Sequence, residues 1–338
     1  MKTSTSAFIL HPSSFNMKRI ITVTTGGTIA MTHTDAAGGA VPLLTGADFS
    51  SALPRDLAEI RVEEFSNLPS AHFTIDHIWN LSRRVAARVA RDDVDGVVVA
   101  HGTDTLDESA YLCDITIDTR KPIVFTGAMR AASDPGYEGI ANLIAALQTA
   151  ASDDARDCGA LVVFNDEIHI ARDVTKTHTT ALETFLSPEF GAIGRVYSDR
   201  VVIARKPTRR AFIPATRLEP NVHLLKLAVG MSAGLLEYLV DVVGARGVVL
   251  ETLGGGRVPP GWLPTIERAV KAGVAIVITS RVGAGRTLDR YGYAGAYRDL
   301  AQIGCWFADD LNGQKARIKL MAALGTENAS RYFDVIIR

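Results

Sequence analysis

The stretch VVVAHGTDTLDE, from Val97 to Glu108, runs four apolar residues straight into a His-Gly-Thr-Asp-Thr cluster and then an acidic pair. A strand without polar alternation is one whose two faces are both covered, as in a parallel sheet. Thr105 and Glu108 stand at capping-box spacing, so a helix is expected to start there. The same strand–turn unit occurs earlier: ITVTTGGTIA, from Ile21 to Ala30, drives an apolar strand into Gly-Gly-Thr. In open parallel sheets ligands bind outside the carboxyl ends of the strands, which is where both polar clusters fall.

Outward from these two units, β-branched apolar runs predict strands at residues 19–25, 60–65, 95–100, 122–126 and 159–164. Between the second and third, TIDHIWNLSRRVAARVAR repeats Ile75, Ile78, Trp79, Val85, Ala86 and Val89 at helical spacing, with arginines opposite. Helices also fit residues 107–115 and 137–151. Strand–helix alternation with right-handed crossovers gives an α/β fold, a doubly wound, mainly parallel sheet. Then RKPTRRAFIPATRLEP, residues 205–220, breaks the periodicity with Arg and Pro. Beyond it strands are expected at 222–228, 246–251 and 274–279, and helices at 233–243, 264–272, 314–324 and 327–334. The expected organisation is a flexible extension (1–17), a larger N-terminal domain (18–204), a linker (205–221) and a smaller C-terminal α/β domain (222–338).

Composition narrows the function classes. The 338 residues are 47% hydrophobic and 22% charged with a formal net charge of −1. That balance gives no global attraction to nucleic acid or an anionic membrane. Cys113, Cys158 and Cys305 form no CxxC, so neither a disulfide framework nor a zinc site is expected, and a reducing cytoplasm fits. The opening MKTSTSAFILHPSSFN has too short an apolar run for a secretory leader, and His11-Pro12 interrupts it. No stretch approaches 18 continuous apolar residues, so no membrane span is expected.

The chemistry should lie at the strand exits. Gly26 and Gly27 permit a tight turn whose N–H groups suit a carboxylate or an oxyanion. Thr28 then presents a hydroxyl. Neither GxxxxGK[ST] nor GxGxxG is present there, which disfavours a phosphate loop. Taken alone, Asp104 reads as a helix cap and His101 as a packed, hydrogen-bonded histidine. A third element changes the balance: ARDVTKTHTT, from Ala171 to Thr180, embeds Lys176 among threonines. A desolvated lysine holds its proton weakly and can draw one from a threonine hydroxyl, with Asp104 to orient it.

TTGGTIA, AHGTDTLDESAYL, PIVFTGAMR, ARDVTKTHTT and LNGQKARIKL together resemble the bacterial L-asparaginase family that uses a threonine nucleophile. The resemblance spans the chain from about Lys18 to its end. It implies hydrolysis of L-asparagine to L-aspartate and ammonia by two α/β domains. It also implies a homotetramer with sites between subunits, no metal and no organic cofactor, and a small amino acid as the one ligand. Thr28 is implied as nucleophile, with Thr103, Asp104 and Lys176 as a second catalytic cluster. Asp104 also meets the α-ammonium, and Ser70 in NLPSAHF holds the α-carboxylate. Gly27, Gly102 and Ala128 line the substrate with backbone.

The sequence departs from the family at three places. The segment after the nucleophile, residues 30–42, lacks the family's tyrosine; His33, Tyr291 or Tyr293 are the replacements at hand. Ala71 occupies the position of a substrate-binding glutamine. Gly255 stands where relatives carry asparagine, and Asp289 is the nearest acid to match a neighbouring-subunit glutamate. Gly38 and Gly39 suit a lid that closes over substrate. Two alternatives follow: a broader glutaminase-asparaginase or other amino-acid amide hydrolase, and a non-catalytic amino-acid-binding protein on the same scaffold.

Overall fold

In chain order the N-terminal part contains β1 (Arg19–Thr24), β2 (Met31–Thr34), β3 (Gly39–Pro42), β4 (Glu59–Glu64), α1 (Ile75–Val89), β5 (Gly96–Ala100), α2 (Leu106–Thr116), β6 (Ile123–Thr126) and α3 (Gly139–Ala151). β7 (Ala160–Phe164), β8 (Glu167–Ile170), β9 (Thr175–Lys176), β10 (Phe185–Leu186), β11 (Gly194–Val196) and β12 (Val201–Ile203) follow. The computed structural model describes residues 17–34, 38–43, 48, 51, 53, 54, 56–208 and 210–333. Residues 1–16 of the expected extension lie outside the described residues.

Among the described residues, one sheet has eight strands in the order β12-β11-β8-β7-β6-β5-β1-β4. The five from β4 to β7 run parallel, and β8, β11 and β12 continue the sheet antiparallel. Every residue of β5, β6 and β7 is buried, as an all-apolar strand requires. Their side chains divide between two cores by strand alternation. Ile20, Val98, Val124 and Leu161 meet Leu143, Ala146 and Leu147 of α3. Ile21, Val97, Val99 and Phe125 meet Leu81, Val85 and Val89 of α1 and Leu106 and Ala110 of α2. Helices cover both faces, and the sheet is doubly wound.

The C-terminal part contains β13 (Val222–Lys226), α4 (Gly234–Asp241), β14 (Gly247–Thr252), α5 (Leu263–Lys271), β15 (Ala275–Ser280), α6 (Tyr297–Ile303), β16 (Trp306–Phe307) and α7 (Gly313–Ala323). Its four strands form a parallel sheet in the order β13-β14-β15-β16. This is the smaller α/β domain. A further core joins the two parts: Ile78, Tyr111, Leu112 and Ile115 pack with Val249, Val277, Ile318 and Leu320.

Some local expectations change. The described residues of 205–220 contain no helix or strand, yet Ile213 is fully buried and its N–H donates to the Ile115 carbonyl at 2.7 Å. The expected helix at 327–334 is a 3-10 turn, Ala329–Tyr332, and Asp334 lies outside the described residues. Thr105 does precede α2, but its side chain makes no cap; its hydroxyl donates instead to the Ser70 carbonyl at 3.1 Å. No helix of the described residues is long and apolar enough to cross a membrane.

Candidate active site

β1 and β5 are hydrogen-bonded neighbours, so the turns that leave them lie side by side. Thr25 stays on the ladder: its N–H donates to the Ala100 carbonyl at 3.0 Å and its hydroxyl to the same atom at 3.2 Å. Gly26 and Gly27 then take φ of +92° and +79°. The Gly27 N–H donates to the Leu68 carbonyl at 3.0 Å, which draws the 66–70 segment against the turn. A Cβ on Gly27 would lie 2.2 Å from the Gly102 Cα, and one on Gly102 would lie 2.7 Å from the Ser70 Oγ. The turns after β1 and β5 therefore meet backbone to backbone, and the Ser70 side chain packs directly on Gly102. Thr28, half-buried, opens a 3-10 turn at this junction.

Ser70 is buried, and its Oγ accepts from the Asp104 N–H at 3.1 Å. That leaves the Ser70 hydroxyl hydrogen free to donate. Ala71, next in the chain, is exposed. Gly127 packs under the same turn, a Cβ there falling 2.4 Å from the His101 carbonyl, and Ala128 beside it is fully buried.

β9 delivers Lys176 from the far side. Its Nζ donates to the Thr103 hydroxyl at 3.0 Å and to the Asp104 carboxylate at 2.8 Å. The lysine side chain is 19% exposed and that of Asp104 is 62% exposed, so the pair is a partly screened one whose carboxylate faces out. Asp104 is thus paired with Lys176, while the other feature weighed alone, His101, is packed as expected. His101 is fully buried; its ring meets the Gly102 carbonyl at 2.8 Å through Nδ1 and the Ser109 hydroxyl at 3.0 Å through Nε2. Burial pushes its pKa down to about 4, against the pull of the Gly102 carbonyl, so the ring is neutral and braces the turn.

Lys176 also has support that sequence reasoning missed. Lys315, on α7, is fully buried and donates to the carbonyls of Arg172, at 3.1 Å, and Val174. Asn312 and Gln314 reach the Thr175 hydroxyl, each at 3.4 Å, and that hydroxyl meets the Asp107 carboxylate at 3.2 Å. Arg172 pairs with Asp310. The signal was present in LNGQKARIKL, where a lysine stands one turn inside a helix capped by Asn312.

The replacements considered for the missing tyrosine are otherwise engaged. His33 lies on β2, its Nε2 3.1 Å from the Asp134 carboxylate. Tyr291 and Tyr293 stack on each other, with Arg257 over Tyr291. Asp289 pairs with Arg298 at 2.8 Å. β2 and β3, residues 31–34 and 39–42, pair antiparallel, and residues 35–37 of the expected lid lie outside the described residues. Among the described residues no group of three or more His, Cys, Asp or Glu side chains is placed to hold a metal ion.

Two family models cover most of the chain: Asparaginase, N-terminal, over residues 19–209, and Glutaminase/Asparaginase C-terminal domain, over residues 221–333. An L-asparaginase of Bacillus licheniformis is 36% identical over 91% of this chain and 96% of its own length. A probable L-asparaginase described as periplasmic, from Haemophilus influenzae, is 33% identical over 91% and 89%. A glutaminase-asparaginase of Pseudomonas aeruginosa is 31% identical over 91% and 86%. Likeness at this level over both domains, with the strand-exit motifs in place, means that the chain belongs to the asparaginase family of amidohydrolases.

Proposed function

We propose that this amidohydrolase converts L-asparagine to L-aspartate and ammonia through a threonyl ester on Thr28. The outward carboxylate of Asp104 grips the α-ammonium, and the Ser70 hydroxyl donates to the α-carboxylate. With both ends of the zwitterion held, the side-chain amide lies against the Gly27–Gly102 junction and the Ala128 backbone. The Thr28 oxygen attacks the amide carbon, and backbone N–H groups meet the developing oxyanion. Collapse breaks the C–N bond, and ammonia leaves carrying the proton that the Thr28 hydroxyl gave up on attack. Water then opens the ester, and one of its protons passes by way of the Thr103 hydroxyl, held by the Lys176 ammonium, back to the Thr28 oxygen. The observation that carries this reading is the three-way contact of Lys176 with Thr103 and Asp104, set beside the turn that presents Thr28.

Replacing Thr28 by Ala tests it. Ammonia release from L-asparagine is expected to fall to background while L-aspartate still binds by calorimetry. Near-normal turnover in that variant would remove Thr28 from the nucleophile role. Intact binding with no turnover in the parent enzyme would instead favour an amino-acid sensor. The exposed Ala71 adds no side-chain amide to the pocket, so L-glutamine is the second substrate to assay.

The working enzyme is a homotetramer in the cytoplasm. Val229, Leu235, Tyr238 and Val242 leave an apolar surface exposed along one side of the C-terminal domain, which suits subunit contact. The three cysteines are all unpaired, which suits a reducing compartment. Light scattering on the purified enzyme should give the mass of four chains; a monomer mass would refute the assembly.

A further inference from the structure

The segment that carries Thr28 has no tyrosine of its own through Pro42, yet a tyrosine reaches it from the loop between β6 and α3. The Tyr137 hydroxyl donates to the Ile29 carbonyl at 2.7 Å, one residue from Thr28 and inside its 3-10 turn. Three further contacts tie the same segment to the same loop. The Ala132 N–H donates to the Met31 carbonyl at 2.8 Å, the His33 N–H to the Ser133 hydroxyl at 3.0 Å, and the His33 ring meets Asp134 at 3.1 Å. The loop is itself braced. The Asp134 carboxylate accepts from the Ala131 N–H at 2.9 Å, Arg130 bonds the Gly136 carbonyl at 2.9 Å, and the Glu138 carboxylate takes the Met129 N–H. Gly139 leaves the ring its space: a Cβ there would lie 2.3 Å from the Tyr137 oxygen.

We infer that Tyr137 is a positioning residue for Thr28, aiming the nucleophile by fixing the carbonyl that follows it. The inference rests on the reading of Thr28 as nucleophile. Threonine is branched at Cβ, so its side-chain rotamer is narrowly restricted by its own backbone. The direction of the Thr28 oxygen therefore follows the orientation of the 28–30 turn, and the turn follows the anchor on Ile29. Burial, with the Glu138 carboxylate adding to it, pushes the phenol pKa up, which keeps Tyr137 an O–H donor across the working range. A misplacement of about 1 Å in such an attack costs on the order of 100-fold, and loss of one of several anchors costs a part of that.

The test uses Tyr137→Phe, which removes the donor, and Gly139→Ala, which pushes the ring away while keeping the hydroxyl. Each is made in the full chain and in a Thr28→Ser background, where the nucleophile lacks the branch that couples it to the turn. In the parent background each should lower kcat for L-asparagine by ~10-fold, with KM and L-aspartate affinity within about twofold. In the Thr28→Ser background the further loss should shrink to about twofold or less, the non-additivity of two residues acting on one event. A kcat within twofold of the parent enzyme in both variants overturns the inference. So does an equal fold loss in both backgrounds, or a loss seen in KM and aspartate affinity instead of kcat. Thr28→Ala, assayed alongside, separates the two claims: turnover surviving in it sinks the nucleophile, whereas a dead Thr28→Ala beside an unimpaired Tyr137→Phe sinks only the positioning role.

Discussion

At the scale of single residues, Lys176 has the most defined contacts. Its ammonium touches one hydroxyl and one carboxylate, both of which come from the turn after β5. Methionine keeps much of its apolar stem and removes the charged head, so Lys176→Met isolates the polar role. The Thr103 hydroxyl then loses its route for a proton, and kcat should fall by ~10², the usual scale for loss of a general base or acid. KM should change much less, because Asp104 and Ser70 still hold the amino acid. An unaltered kcat, measured by ammonia release at saturating L-asparagine, would make Lys176 a structural counter-ion to Asp104. This residue was legible because a lysine among threonines is an unusual setting for a surface side chain. Tyr137 was not, since its contact is to the Ile29 backbone carbonyl, and a sequence does not advertise such a contact.

At the scale of elements, what the sequence revealed depended on burial. β5, β6 and β7 are buried throughout, and a strand covered on both faces must be apolar throughout, so these were found within a residue or two. α1 was found because Ile78, Val85 and Val89 face the core at helical spacing. The antiparallel strands β8, β11 and β12 at one end of the sheet, only three or four residues long, left no such pattern. The β2–β3 pair was hidden for the same reason: MTHT is partly exposed and mixes polar with apolar residues. The turn glycines were legible as a motif, but not the reason for them. Gly27 needs both its positive φ and its missing Cβ, because the Gly102 backbone occupies the space. The polar clusters after β1 and β5 are thus one structural feature, made by two neighbouring parallel strands ending at the same edge.

At the scale of the molecule, the C-terminal domain braces the strap that carries Lys176 through Lys315. This ammonium is fully buried and bonds two carbonyls of the strap that leads to Lys176. Burial lowers its pKa to about 8 from its ordinary 10.5, and the neighbouring carboxylates of Asp107 and Asp173 only partly oppose the fall. Lys315→Met leaves both carbonyls without their donor and takes a cation away from Asp107, while Asp173 keeps its pair with Arg172 at 3.0 Å. A buried acceptor left unsatisfied commonly costs about 1–3 kcal/mol. The shared core of Leu112, Ile115, Val249 and Leu320 means that this loss should lower one cooperative calorimetric transition for both domains. The pH dependence carries a second signature. Between pH 8 and 10.5 the unfolded chain holds a proton on Lys315 that the folded chain has released, so this group makes stability rise with pH across that window. Lys315→Met has no such group. The melting temperature of the parent enzyme should therefore gain on that of the variant as pH is raised from 8 to 10.5. Parallel curves over that range would show that Lys315 keeps its proton when buried; two separate transitions would show that the domains do not share their stability.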